Sequence, residues 1–160
     1  MSSIDLSGRI AIVTGASRGI GLSIATRFAE HGASLIINSV KDADTLTARS
    51  EDLRKLSNAP VDTLIGDVAD SETAQALVKI AFSQHKRLDV LVNNAGILRD
   101  GLIGMISDEA INATFNVNLR SVINCTQASA RLMQRNKSGS IINISSIIGR
   151  FGNKGQIVYG

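Results

Sequence analysis

Eight residues carry the first chemical signal in this chain: Thr14-Gly15-Ala16-Ser17-Arg18-Gly19-Ile20-Gly21. They stand between an apolar run, Ile10-Ala11-Ile12-Val13, and a segment in which Ile20, Ile24, Ala25 and Phe28 recur at helical spacing. A strand, a glycine turn and a helix follow in that order. Glycines in such a turn have three uses: reversing the chain at positive φ, letting backbone approach a diphosphate, and letting helix pack closely on strand. The helix that opens there aims free N–H groups and its positive end at phosphate oxygens. The spacing is G-x-x-x-G-x-G, not the G-x-G-x-x-G of the common dinucleotide fingerprint. Taken alone, the turn fits either a diphosphate cradle or a tight connection that binds nothing.

Other apolar runs also end in small polar residues. Asp67-Val68 follows the third, Asn93-Asn94-Ala95-Gly96 the fourth, and Ser145 and Ser146 close the fifth. In an open parallel sheet, ligands lie outside the carboxyl ends of the strands, which is where these residues fall. Asp67 has the chemistry to accept from an adenine amino group, and Asn93 to tie neighbouring strand ends together. Each alone equally suits a turn or a cap.

The elements that must position these groups are read from periodicity. Strands are expected at 9–14, 34–39, 61–65, 88–92 and 140–145. Helices are expected from Ile20 to the stop at Gly32, over 44–56, and from a cap at Asp70 with Ala74, Leu77, Val78, Ala81 and Phe82 on one apolar face. A long helical stretch runs from Ser107 to about Asn136, interrupted or not near Asn118. Strand and helix alternate throughout, so the expected class is α/β, a doubly wound parallel sheet in three layers.

Composition narrows the function. The chain of 160 residues is 44% hydrophobic, enough for one domain with its own core. Seventeen basic and fourteen acidic side chains leave a scattered charge of +3 with 3% aromatics, which argues against nucleic acid. His31, His85 and the lone Cys125 have no metal-ligand spacing, so no metal is expected. A single cysteine fits a reducing compartment, and no run approaches membrane-spanning length, so a cytoplasmic protein without a membrane partner is expected.

With these residues in hand, the chain resembles the short-chain dehydrogenase/reductase family over its whole length. Thr14-Gly15-x-x-x-Gly19-x-Gly21, Asn93-Asn94-Ala95-Gly96, Asn118, Ser146 and Tyr159 match that family's ordered motifs, with the serine and tyrosine thirteen residues apart. Ile97-Leu98-Arg99-Asp100-Gly101 after the asparagines is similar to 3-oxoacyl-[acyl-carrier-protein] reductases and acetoacetyl-CoA reductases. The resemblance implies a Rossmann-type fold, a nicotinamide cofactor, and reduction of a ketone, most closely a 3-oxoacyl thioester. It implies that Tyr159 donates a proton to the carbonyl oxygen, that Ser146 orients the carbonyl, and that Asn118 holds a relay water while distorting its helix. It also implies cofactor contacts from Gly15, Ser17, Arg18, Gly19, Ile20, Gly21, Ser39, Asp67, Val68, Asn94, Ala95 and Gly96.

Asn38-Ser39-Val40 carries no acid where NAD enzymes hold the ribose, while Arg18 and Lys41 bring positive charge. NADP(H) is therefore expected over NAD(H), which remains usable. The family's lysine would fall at position 163, beyond Gly160, so the chain is expected to be the amino-terminal part of a single NAD(P)-binding domain, incomplete at its carboxyl side. A longer form is expected to be a homotetramer or homodimer. The carbonyl substrate arrives free or on an acidic acyl carrier protein, for which Arg131, Arg135 and Lys137 are candidate contacts; those cations also suit a helix's negative end. A nucleotide-binding module without catalysis and an interaction piece without cofactor are the competing readings.

Overall fold

Alternation along the first strand, β1 (Ile10–Val13), divides the core in two. Ile10 and Ile12 pack with Ile36, Leu77, Leu91 and Leu132 on one face of the sheet. Ala11 and Val13 pack with Ala25, Leu35, Leu46 and Val92 on the other. A computed structural model describes residues 4–160. Its remaining elements are α1 (Gly19–Glu30), β2 (Ser34–Ser39), α2 (Ala43–Ser57), β3 (Val61–Ile65), α3 (Ser71–His85), β4 (Val90–Asn93), α4 (Asp108–Phe115), a π turn (Asn116–Arg120), α5 (Ser121–Arg135), β5 (Ser140–Asn143) and α6 (Ile148–Phe151).

The five strands form one sheet in the order β3-β2-β1-β4-β5, and every pairing is parallel. The α1 and α2 helices cover one face, while α3 and α5 cover the other. The expected three-layer, doubly wound α/β architecture is what the chain adopts. Winding runs outward from β1 through β2 to β3 and then restarts on its other side at β4. The β1/β4 junction is therefore the topological switch point, where the loops leaving neighbouring strands part and open a crevice.

Three expectations are corrected. The buried stripe of α1 is Gly21, Ala25 and Ala29, whereas Ile20 is 63% exposed because the first turn projects beyond the sheet edge. Asp70 occupies the N-cap position of α3, but its side chain makes no capping hydrogen bond. Phe82 stands at the rim, its ring 5.0 Å from Lys86 Nζ and 5.4 Å from the Arg135 guanidinium, an arrangement that favours exposure over burial. The stretch from Ser107 to Asn136 is two helices joined by the π turn that contains Asn118. Among the described residues no helix is long and apolar enough to cross a membrane.

At the amino-terminal edge of the sheet, Asp89 is 5% exposed and accepts from Arg9 Nη1 at 3.0 Å, from the Ile10 N–H at 2.9 Å and from Arg87 Nε at 3.0 Å. Burial pushes the carboxyl toward protonation, but Arg87, the Ile10 amide and Arg9 outweigh it and hold its pKa below the usual carboxylate value. A carboxylate with a depressed folded-state pKa stabilises the fold above its unfolded pKa of about 4, and that contribution is lost as pH falls through the folded value. Asp89→Asn is therefore expected to cost about 1–3 kcal/mol at pH 7. It should also flatten the acid limb of a stability-against-pH curve measured by urea unfolding; an unchanged acid limb would remove Asp89 from this role.

Candidate functional site

The glycine turn leaves β1 at the switch point. Gly15 and Gly19 take φ of +63° and +59°, the left-handed region that side chains disfavour. A β-carbon on Gly21 would stand 2.4 Å from Asn94 Nδ2 and 2.5 Å from the Gly15 carbonyl oxygen, so Gly21 is where helix and turn pack closely. Around Gly19 the same test meets nothing within 4 Å, which leaves open space over the first turn of α1. Arg18 at the N-cap gives no side-chain cap, and the first turn holds no acid, so its N–H groups and positive dipole end stay available to an anion. The uncapped start of α3 differs, because Asp70 and Glu72 stand there.

A polar clasp joins this turn to the end of β4. Thr14, 1% exposed, accepts at Oγ1 from the N–H groups of Asn94 and Ala95, both at 3.0 Å, and its hydroxyl donates to the Val92 carbonyl at 3.3 Å. Asn94 Nδ2 donates back to the carbonyls of Thr14 at 2.9 Å and Gly15 at 3.1 Å. One residue over, Asn93 Nδ2 donates to Asn143 Oδ1 at 2.9 Å and to Thr126 Oγ1 at 3.3 Å, tying β4 to β5 and α5. This is the strand-tying role expected for Asn93.

Beyond the clasp, Asn118, Ser146 and Tyr159, far apart in sequence, line one cavity of about 470 Å³ together with Ile20, Asn94, Ala95 and Gly96. The Asn118 amide is engaged at both ends, accepting from the Ile97 N–H and donating to the Ile97 carbonyl, each at 2.8 Å. Its side chain thus pins the loop after β4 to the π turn. Ser146 Oγ accepts from the Ile148 N–H at 3.2 Å, which leaves its own proton free to donate. Tyr159 is half-buried in a turn.

The other predicted residues gather at the far side of the switch point. Ser39 Oγ lies 3.4 Å from Ser17 Oγ and donates to the Lys41 carbonyl at 2.8 Å. Arg18 and Lys41 are exposed, and neither has a carboxylate partner among the described residues. Asp67 accepts the Ala69 N–H at 2.9 Å through Oδ1, leaving Oδ2 for a donor. The Val68 side chain is 1% exposed within the core, so any contact it makes with a ligand comes from its main chain. Cys125 is inert, since burial pushes its thiol up to about 12.

Sequence reasoning missed Thr14 as the hub of the clasp and Ile97, Leu98, Val122 and Ile144 as cavity walls. The available signals were a polar residue closing an apolar strand and the apolar pair directly after Gly96.

Fold and site together define a doubly wound α/β protein with a dinucleotide-type crevice at its switch point. The model for the short chain dehydrogenase family matches residues 9–160, and the chain belongs to that family. It is 41% identical over 149 residues to the 3-oxoacyl-[acyl-carrier-protein] reductase FabG of Staphylococcus aureus, covering 93% of this chain and 60% of the relative. With FabG of Thermotoga maritima the identity is 37% over 156 residues, covering 96% and 62%. A crystal structure from Sinorhizobium meliloti 1021, described as a short-chain alcohol dehydrogenase, superimposes with TM-score 0.91 at 33% identity, covering 98% of this chain and 61% of that one. The chain thus spans about three-fifths of the length of the relatives it matches.

Two glycine substitutions separate packing from ligand approach. Gly21→Ala should cost about 1–3 kcal/mol in thermal unfolding, because its β-carbon overlaps the Asn94 amide and the Gly15 carbonyl. Gly19→Ala should cost about 1–2 kcal/mol through its positive φ and, beyond that, weaken dinucleotide binding measured by fluorescence titration. Equal binding by Gly19→Ala and the native chain would deny a phosphate site over that turn.

Proposed function

We propose that the protein is an NADPH-dependent oxidoreductase that reduces a ketone to a secondary alcohol, with a 3-oxoacyl thioester as the substrate class. The observation that carries this reading is the convergence of Asn118, Ser146 and Tyr159 on one cavity beside the glycine turn. The diphosphate lies over the first turn of α1, where open space at Gly19 and uncapped N–H groups suit it. The adenosine half lies toward Ser39 and Asp67. Arg18 and Lys41, cations without carboxylate partners in the described structure, suit a 2′-phosphate.

When bound, the reduced nicotinamide supplies a hydride to the carbonyl carbon. Charge then grows on the carbonyl oxygen, and the chain's own groups answer it. Ser146 donates its free hydroxyl proton as a hydrogen bond to that oxygen, and the Tyr159 phenol transfers a proton to it. Asn118 keeps the floor of the cavity in register through Ile97, so a relay water would be held by the main chain of the π turn rather than by the amide. An apolar cavity of about 670 Å³, walled by Leu102, Ile103 and Ile157, adjoins this one at Gly149 and Gly160 and suits an acyl tail.

Delivery on a carrier protein is consistent with the names of the relatives. The cations at Arg131 and Arg135 do not flank this chain's own cavity, however. Ser140, five residues after Arg135, begins β5 at the amino-terminal edge of the sheet, pairing its N–H with the Asp89 carbonyl at 2.8 Å. Arg135 is thus about 25 Å along the helix from Asn118. Its position at the end of α5 favours the helix-dipole role. Exposed Phe115, Leu119 and Ile123 support assembly into a homo-oligomer.

Tyr159→Phe should lower the rate of NADPH-dependent reduction of an acetoacetyl thioester by about 10²–10⁴-fold with little change in cofactor affinity; a retained rate would overturn the assignment. Arg18→Ala should weaken NADPH binding about tenfold and leave NADH binding unchanged. Equal losses for both cofactors would remove the 2′-phosphate contact. Reversing Arg131 and Arg135 to Glu tests docking, which predicts a selective rise in KM for the carrier-bound substrate over a free β-ketoester.

A further inference from the structure

We infer that Asn38 is a positioning residue for the adenosine half of the cofactor, tying together three loops that frame it. The inference rests on the cofactor reading above, because the loops concerned are the glycine turn, the end of β2 and the end of β3.

Asn38 is 1% exposed, the next-to-last residue of β2, and cannot itself touch a ligand. Its Nδ2 donates to the carbonyls of Leu64 and Gly66, each at 3.0 Å, and lies 3.4 Å from that of Ser39. Three carbonyl oxygens around one nitrogen fix the orientation of the amide, since its own oxygen would meet only acceptors there. The main chain extends the reach: the Asn38 carbonyl accepts from the Ala16 N–H inside the glycine turn at 2.9 Å. The ladder between β2 and β3 ends one residue on, where the Gly66 N–H donates to the Ser39 carbonyl at 2.9 Å.

These bonds act where regular pairing stops. Gly66 has φ +159°, and the chain leaves β3 there to present Asp67, while Ser39 begins the segment that carries Lys41. Ordinary sheet bonds stabilise strands but not the departing loops. The two amide protons of Asn38 bind carbonyls on both sides of that departure, Leu64 within β3 and Gly66 beyond it. Preorganised loops avoid the ordering cost that binding would otherwise carry. The same geometry explains why an amide stands at this position rather than a carboxylate: the oxygens of an ionised acid would face these carbonyls with no proton to give.

The test uses Asn38→Leu, with the same number and branching of side-chain heavy atoms but without donors, and Asn38→Thr, with one donor in place of two. Binding of adenosine 2′,5′-bisphosphate reports the adenosine half alone, and circular dichroism with thermal melting reports folding. Amide hydrogen exchange supplies the second readout. The expected result is at least about tenfold weaker binding of the probe by Asn38→Leu, with Asn38→Thr between it and the native chain. Exchange at Gly66 should accelerate beyond that of the β1 and β4 amides. Unchanged probe affinity in both variants, or acceleration uniform across the sheet, would make Asn38 an ordinary core residue and overturn the inference. If Asn38→Leu does not fold, Asn38→Thr decides by the same two readouts. A native chain that fails to bind the probe would refute the cofactor reading itself, and this inference with it.

Discussion

The structure depends on a buried threonine hydroxyl at the point where the sheet changes winding direction. Parallel strands diverge at a switch point, and nothing in the ladder itself holds the two departing loops together. Thr14 supplies that link. Its oxygen accepts two N–H groups from the segment after β4, and Asn94 returns its amide to two carbonyls of the glycine turn. The Thr14 side chain is buried, so its hydroxyl has no water to fall back on, and leaving it unpaired carries the full desolvation penalty. Gly21 is obligatory for the same reason, since the Asn94 amide fills the space that a side chain would need.

The two ends of the sheet are built differently. At the amino-terminal edge, charge is locked away: Asp89 is enclosed by Arg9, Arg87 and a backbone amide, which fixes the start of β1 against that of β4. At the carboxyl edge, polar groups are small and mostly uncharged, and several retain a free proton or lone pair. Ser146 keeps a donor, Asp67 keeps an acceptor oxygen, and the first turn of α1 keeps its N–H groups.

Much of this was legible in the sequence because the strands of a parallel sheet buried on both faces read as apolar runs, and each run here ends in turn residues. The strand–helix alternation, the Asn93 tie and the gathering of strand-end residues at one edge all follow from that pattern. Less legible was anything decided by three-dimensional offset. Ile20 fits the helical repeat yet projects past the sheet. Val68 directly follows Asp67 yet turns into the core. The π turn at Asn116–Arg120 has no periodic signature, because it inserts a single extra residue into an otherwise helical pattern. Asn118 stands out in the sequence as a candidate, but its two bonds to Ile97 depend on a loop whose path no spacing rule describes.

The central claim, that turn and β4 loop form one cooperative unit that positions the dinucleotide, is tested most directly by a double-mutant cycle. NADPH dissociation constants would be measured for the native chain, Thr14→Val, Asn94→Ala and the double variant. Cooperation through the clasp predicts a coupling energy of about 1 kcal/mol or more, with the double variant little worse than either single one. Strictly additive losses would contradict the account, because the two residues would then act on the site independently.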